Sequence, residues 1–329
     1  MTARDQVLQE IRDGERFVLV THENPDGDAL GSLVAMHRIL RALGKDSVML
    51  MAADEFPLPY EYRFFELDGL VSVPPHDLDE RTVIFLDCGN IDRNPFAEVK
   101  RDDAHILNLD HHHDNTRFGT VNLVDDDASC TAEVVWDLMR ELGVAPTPEI
   151  ADALYVGLVT DTGKFMYENT GTRAHIMAAE LVEAGVDVHG IYRRLYEGMP
   201  YGKLELLARA LAHVERHDGG RLTMSRISRD DFRLAGAEES WSEGIIDHLR
   251  SVDGTKVAAL SRELLSEAGR GRKKVSLRAT DGEVDVSVIA RAAGGGGHRQ
   301  AAGFSTELSD EELVSFLREQ IAAQLGART

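Results

Sequence analysis

The chain has 329 residues and a formal net charge of −21, which argues against long duplex nucleic acid as a partner. Its length predicts about two domains, and its two cysteines exclude a disulfide scaffold. No apolar run could span a bilayer and the charged N-terminal segment is unlike a signal peptide, so we expect a cytoplasmic protein with no membrane partner.

The first half of the chain alternates short apolar runs with amphipathic helical patterns. Buried strands are predicted at 17–20, 48–51, 82–87 and 105–110. Helices are predicted over Gly31–Leu43 and Thr131–Leu142, where apolar residues recur on one face. This alternation is typical of an α/β domain with a mostly parallel sheet, whose ligand crevice lies at the carboxyl ends of the strands.

The remainder predicts a helical connection and a second domain. Residues 172–214 favour helix with one interruption near 197–200, and a β-rich segment begins at 221. Further strands near 256–261 and 274–280, a helix after Asp285 and a last helix from Asp310 predict a smaller α/β domain with a mixed sheet. The predicted limits are a catalytic domain at 1–195, a helical linker at 196–216 and a second domain at 217–329.

Acidic and histidine side chains follow two of the predicted strands. His22, Asp26 and Asp28 lie in the loop HENPDGD after the first strand. Asp87 ends the run TVIFLD, where a carboxylate points into the expected crevice. Taken singly, each group has a simpler interpretation as an Asx turn or a helix N-cap.

Two more groups complete the pattern. The run DHHH (110–113) ends another strand, and Asp161 follows the apolar segment ADALYVGLVT. Because imidazoles rarely fill cores unpaired, a metal or phosphate contact is the favoured interpretation of the histidines. Together, two His and four Asp exceed the ligands of one ion and fit two divalent ions sharing a carboxylate. The set suits Mn²⁺, Mg²⁺, Co²⁺ or Zn²⁺ and the hydrolysis of phosphoesters.

These segments resemble, in order, the four motifs of DHH phosphoesterases: HENPDGD (22–28), the pair Leu86-Asp87, LDHHH (109–113) and VTDTG (159–163). The resemblance implies two bound metal ions, with Mn²⁺ preferred. Their implied ligands are His22, Asp26 and Asp87 for one ion, and Asp28, Asp87, His111 and Asp161 for the other, with Asp87 bridging.

The same resemblance assigns roles around the metals. It implies that Asp110 orients His111 from outside the metal shell and that His112 contacts the scissile phosphate. The segment CGNIDR (88–93) resembles the family stretch that carries a phosphate-binding arginine, here Arg93. His113 is an additional histidine to which the resemblance gives no role.

The segment GGGGHRQAAGF (294–304) is the candidate site of the second domain. Glycines let backbone approach an anion closely, although four in a row are usually a linker. The segment resembles the GGGH motif of the DHH-associated C-terminal domain, which implies that Gly295, Gly296, Gly297 and His298 bind substrate together with Arg278. Residues 262–299 carry eight Lys and Arg against five acids, so this part is locally basic.

Both domains together resemble the compact NrnA-type phosphodiesterases. The implied activity is hydrolysis of short RNA, linear dinucleotides such as pApA or pGpG, and pAp to mononucleotides. We keep two alternatives: a DHH pyrophosphatase or exopolyphosphatase, and a non-catalytic sensor that binds metal and nucleotide. A processive nuclease of the RecJ type is disfavoured because the chain is short. All of these short nucleotides are kept as candidate substrates, and a homodimer is kept as a candidate assembly.

Overall fold

The structure of the protein is a computed structural model that describes residues 2–297 and 299–326. The chain forms two units with separate internal contacts, Met1–Gly198 and Met199–Thr329. This division reflects packing contacts. The functional domain limits 1–195, 196–216 and 217–329 stay a prediction. No helix within the described ranges combines the length and apolar character needed to cross a membrane.

The first unit contains a six-stranded, all-parallel sheet, as the alternating pattern predicts. Its strands are β1 (Arg16–Val20), β2 (Asp46–Leu50), β3 (Leu70–Val71), β4 (Thr82–Leu86), β5 (Ile106–Asp110) and β6 (Val121–Val124). They lie in the order β3-β2-β1-β4-β5-β6. The strand order therefore reverses direction between β1 and β4, and such a switch point opens a ligand crevice at the carboxyl ends of the two strands.

Helices cover one face of this sheet. They are α1 (Ala3–Asp13), α2 (Gly27–Ala42), α3 (Thr131–Glu141), α4 (Pro148–Asp161), α5 (Thr172–Glu183) and α6 (Val188–Tyr192). Alternate strand residues such as Leu19 and Ile84 pack against them, whereas Val18 and Phe85 face the other side. That side is closed by side chains from the loop segments, including Phe96 and Phe118.

Helices α2 and α4 cross at glycines. A Cβ added at Gly31 would clash with the backbone oxygen of Ala153 and lie 2.9 Å from the nitrogen of Gly157. A Cβ at Gly157 would meet the carboxylate of Asp28 at 2.7 Å. The glycines therefore allow the close approach that brings the start of α2 to the end of α4, where Asp161 lies.

The second unit has a mixed six-stranded sheet in the order β11-β12-β10-β9-β8-β7. Its strands are β7 (Glu215–His217), β8 (Leu222–Ile227), β9 (Val257–Glu263), β10 (Lys273–Ala279), β11 (Gly296–Gly297) and β12 (Ala301–Thr306). Only β8 and β9 pair in parallel among these described strands. The helices are α7 (Tyr201–Ala212), α8 (Arg229–Ala235), α9 (Ile245–Arg250), α10 (Val286–Ala292) and α11 (Asp310–Gly326).

Each face of this second sheet has its own core. Leu313, Leu317 and Ile321 recur along one side of α11 and are buried against one face, in agreement with the predicted final helix. The helix predicted before the second β-rich segment is present as α7, whose Leu206 and Ala210 are buried against the other face. The mixed α/β architecture expected for the second part of the chain is thus confirmed.

The sequence prediction differs from the structure in several elements, and it contains no counterpart of α1, α4, α8 and α9. It omits β3, β6, β7, β11 and β12, which are short or rich in small and polar residues and so lack a clear apolar period. Helix α2 begins at Gly27 rather than at Gly31, because the Asp26 carboxylate accepts the backbone N–H groups of Asp28 and Ala29, each at 3.1 Å.

Candidate metal centre

The predicted site residues of the first unit lie where three neighbouring strands end. His22 follows β1, Asp87 follows β4, and Asp110 is the last residue of β5. Helix α2 adds Asp28 in its first turn and α4 adds Asp161 at its last residue. The parallel sheet and the glycine crossing therefore direct all of these residues to one crevice.

Six residues predicted as metal ligands form a continuous cluster. Three overlapping groups have ligand atoms within 4.8 Å of one another: His22, Asp26 and Asp87; Asp28, His111 and Asp161; and Asp87, His111 and His112. Asp87 belongs to two of them. A carboxylate shared between groups is the arrangement that a pair of neighbouring divalent ions requires.

Asp87 occupies the centre in an unusual backbone conformation. Its φ is 56°, the left-handed region that costs energy for a residue other than glycine. It is 2 % exposed, and its Oδ2 lies 3.7 Å from Nε2 of His22 while its Oδ1 lies 3.7 Å from Nε2 of His111. Burial acts to raise the pKa of Asp87, but contact with His22 and the nearby histidines lowers it overall.

Asp28 is buried and held by the start of helix α3. Its two oxygens accept the backbone N–H groups of Thr131 at 2.6 Å and Ala132 at 2.9 Å. Burial, followed by the negative charges of Asp87 and Asp161, raises its pKa well above the ordinary value. Carboxylates crowded in this way repel one another, and divalent cations relieve that repulsion, so the donor set fits metal ions.

Asp161 closes the cluster from the more open side. Its Oδ2 lies 3.7 Å from Nε2 of His111, and its side chain is 28 % exposed. Burial raises its pKa to about 6, against the lowering effect of His111. Asn169 donates to the same oxygen at 3.2 Å. The carboxylate thus lies at the edge of the crevice, where a ligand could reach it from solvent.

Asp110 contacts a different histidine ring from the one we expected. Its Oδ1 lies 2.8 Å from Nδ1 of His112 and accepts the backbone N–H of His111 at 2.9 Å. The carboxylate therefore orients the ring of His112 rather than that of His111. The hydrogen bond with Asp110 raises the pKa of His112 to about 9, despite burial. The contact with Asp110 therefore favours the protonated form of His112.

Arg93 lies beside the first group. Its Nη2 is 3.0 Å from Nδ1 of His22, which also lies 2.7 Å from the carbonyl oxygen of Glu23. The backbone N–H of Glu23 donates to the carbonyl of Arg93 at 2.8 Å, which ties the two loops together. A guanidinium is thus held beside His22 at the rim of the cluster. His113 is exposed and belongs to none of the three groups.

The candidate residues of the second unit are described separately. Arg278 lies on β10, half-buried, with Nη1 donating to the carbonyl of Leu277 at 3.1 Å. A Cβ added at Gly295 or Gly297 would clash with the adjacent strand β12, whereas one at Gly296 would meet open space. Packing alone thus accounts for two of the three glycines. His298 lies outside the described residues.

Sequence reasoning missed several side chains that hold the site together. Asn115 donates to Oδ2 of Asp110 at 2.5 Å, and Thr131 contacts both Asp28 and Asp87. Neither residue type signals a metal site, although Thr131 at the predicted start of a helix signals a cluster of free N–H groups. Cys88 and Cys130 are buried free thiols, and burial raises the pKa of Cys88 to about 12.

Comparison with known proteins identifies relatives of both units. A model of the "DHH family, N-terminal domain" matches residues 16–158, and one of the "DHHA1 domain" matches residues 232–325. The bifunctional oligoribonuclease and PAP phosphatase NrnA of Thermus thermophilus is 34% identical over 310 residues, which cover 92% of this chain and 89% of that protein.

Two further matches extend over nearly the whole chain. A probable bifunctional oligoribonuclease and PAP phosphatase NrnA of Streptococcus mutans is 27% identical over 320 residues, covering 95% of this chain and 97% of that protein. The crystal structure of an exopolyphosphatase-related protein from Bacteroides fragilis matches with a TM-score of 0.84 at 21% identity. That match covers 99% of this chain and 97% of the other, and supports the fold.

Proposed function

The chain belongs to the NrnA-type DHH phosphoesterases, and from this membership and the geometry of its metal centre we propose that it hydrolyses short nucleotides. The proposed substrates are short RNA, linear dinucleotides such as pApA or pGpG, and pAp, with mononucleotides as products. The observation that carries the proposal is the cluster of six ligand side chains around Asp87 in a chain whose relatives are named oligoribonuclease and PAP phosphatase.

We propose that the cluster holds two divalent cations. His22, Asp26 and Asp87 would hold one, and Asp28, Asp87, His111 and Asp161 the other. The oxygen-rich donor set favours Mn²⁺, with Mg²⁺, Co²⁺ or Zn²⁺ as alternatives. When bound, such ions supply a nucleophile at neutral pH and neutralise charge on the phosphoryl oxygens.

His112 and Arg93 would act on the phosphoryl group directly. Nδ1 of His112 is engaged by Asp110, which leaves Nε2–H as the atom that can donate to a phosphate oxygen or protonate the departing oxygen. The fixed charge of Arg93 would stabilise negative charge on the equatorial oxygens. Arg93 and the protonated form of His112 would also help to bind an anionic substrate in this acidic crevice.

The second unit would bind the part of the nucleotide that is not cleaved. Arg278, Gly295, Gly296, Gly297 and His298 are the proposed contacts, and the exposed backbone at Gly296 supports this use. We keep the domain limits 1–195, 196–216 and 217–329 as the functional division. The cytoplasm as compartment, a homodimer as assembly and the exclusion of long duplex nucleic acid belong to the same proposal.

The direct test is hydrolysis by the purified chain of a panel containing pAp, pApA, pGpG, pyrophosphate and RNA of graded length. We expect turnover of the short nucleotides that requires Mn²⁺ and is abolished by Asp87→Ala. Asp102→Ala, an exposed carboxylate in a surface turn, is the control that should keep full activity. Rapid hydrolysis of pyrophosphate with inert nucleotides would favour a pyrophosphatase, and tight pApA binding without turnover would favour a sensor.

A further inference from the structure

We propose that Thr131 is a positioning residue that fixes the distance between Asp28 and Asp87 by donating a hydrogen bond to each. The inference rests on the proposed function, because both carboxylates are proposed metal ligands. Thr131 is not one of the proposed metal ligands, and its hydrogen bonds to the site go to these two carboxylates. Its role would be to hold them in the geometry that metal binding needs.

The contacts of Thr131 are specific. Its backbone N–H donates to Oδ2 of Asp28 at 2.6 Å, and its Oγ1–H donates to Oδ1 of Asp87 at 3.1 Å. All three residues are almost completely buried. Two buried carboxylates of like charge repel each other, so without such donors they would turn apart or take up protons. One residue therefore bridges Asp28 and Asp87, which are both proposed ligands of the second ion.

The contacts around the start of α3 would hold Thr131 in place. It is the first residue of α3, where the backbone N–H groups have no partner within the helix. Just before it, Ser129 donates its N–H to Oε2 of Glu133 at 3.0 Å and its hydroxyl to the same oxygen at 2.5 Å. Glu133 is 1 % exposed, and Nε of Arg173 lies 2.8 Å from its other oxygen.

Glu133 and Arg173 form an ion pair beside the start of α3, and neither is a proposed metal ligand. Glu133 ties Ser129 to the first turn of α3, and Arg173 lies beside its other oxygen, so the donors of Thr131 would be held toward the two carboxylates. Threonine is also suited to the task because branching at Cβ restricts its χ1 rotation. Residues that orient metal ligands from outside the ligand shell typically change metal affinity by roughly 10- to 100-fold when they are removed.

The test compares three substitutions that change the hydroxyl in steps. Thr131→Val keeps the size and backbone N–H but removes the donor to Asp87, Thr131→Cys leaves a weak donor, and Thr131→Ser keeps the hydroxyl. Thr223→Val removes a hydroxyl from an equally buried threonine of the second unit, which bonds Thr255 at 2.7 Å. It is the matched control for the loss of a buried hydroxyl.

Mn²⁺ affinity is measured by the electron paramagnetic resonance signal of free Mn²⁺, and kcat and KM are measured on pApA. We expect Thr131→Val to weaken Mn²⁺ binding roughly 10- to 100-fold, Thr131→Ser to stay within about threefold of the parent, and Thr131→Cys to lie between them. Thr223→Val should bind Mn²⁺ like the parent. KM for pApA at saturating Mn²⁺ should change little in all four variants.

Parental Mn²⁺ affinity in Thr131→Val, or equal loss in Thr131→Ser and Thr131→Val, would overturn the proposal. If Thr131→Val does not fold, the comparison of Cys with Ser decides in the same way. Failure of the proposed function is distinguishable, because the parent would then bind Mn²⁺ weakly or cleave no nucleotide. A parent that binds and cleaves, with an unaffected Thr131→Val, would contradict the positioning role alone.

Discussion

The metal centre of the first unit and the glycine segment of the second unit differ in one respect. Packing of the fold explains part of the glycine segment, whereas it does not explain the acidic residues of the metal centre. In the first unit, Asp28 and Asp87 are buried carboxylates held close together, and bound cations or protons must offset their mutual repulsion. In the second unit, strand β12 packs so closely against Gly295 and Gly297 that a larger side chain at either position would clash with it. Charged motifs at strand ends thus carry more functional information than a glycine run.

Substitution of His112 in the first unit should have the largest effect on catalysis and is therefore the sharpest test of this difference between the two sites. Replacement by Asn should lower kcat on pApA by roughly 10²- to 10⁴-fold with a small change in KM, because Nε2–H acts on the reacting phosphate. Stopped assays of AMP release at saturating Mn²⁺ measure both constants. The neighbouring His113→Asn is the matched control and should be near the parent. Equal losses in both variants would mean that the histidine run acts through folding.

Arg278 should show an intermediate effect of a different kind. Replacement by Ala removes a cation that would grip the uncleaved end of the nucleotide, so we expect KM for pApA to rise about tenfold while kcat falls less, in line with the loss of a charge-assisted hydrogen bond. Arg233→Ala, an exposed arginine on α8, is the control. A fall in kcat with unchanged KM would place Arg278 in the reaction itself and reduce the contrast between the units.

Substitutions in the glycine segment should have the smallest effect on activity. They should also separate the packing role of the segment from its proposed role in substrate binding. Gly295→Ala should lower the free energy of unfolding of the second unit by about 1–3 kcal/mol, because the added methyl group overpacks the contact with β12. Gly296→Ala, which meets open space, should leave stability unchanged and raise KM only a few-fold. Urea denaturation and kinetics on the same preparations test both expectations. Destabilisation by Gly296→Ala would show that the whole run is structural.

Much of the first site was predictable because the ends of parallel strands meet at one edge of a sheet. His22, Asp87 and His111 follow apolar runs in the sequence, so their convergence needs no knowledge of packing. The position of Asp161 was harder to predict, because it depends on the glycine crossing of α2 and α4. Thr131 could not be assigned at all, since its role arises only when the start of α3 lies against two acids distant in sequence.

The fold gives the net charge of −21 a more specific meaning. Residues 1–215 carry almost all of the acid excess, and four of those acids converge on one crevice. Two divalent ions would offset the charge of Asp26, Asp28, Asp87 and Asp161 locally. The composition is therefore compatible with a short anionic substrate.

The central claim is that the first unit holds two divalent ions that share Asp87. Crystals grown with Mn²⁺ and measured near the manganese absorption edge test it most directly, through an anomalous difference map. We predict two peaks in the crevice, one against His22, Asp26 and Asp87, the other against Asp28, Asp87, His111 and Asp161. A single peak, or peaks that do not contact Asp87, would contradict the account.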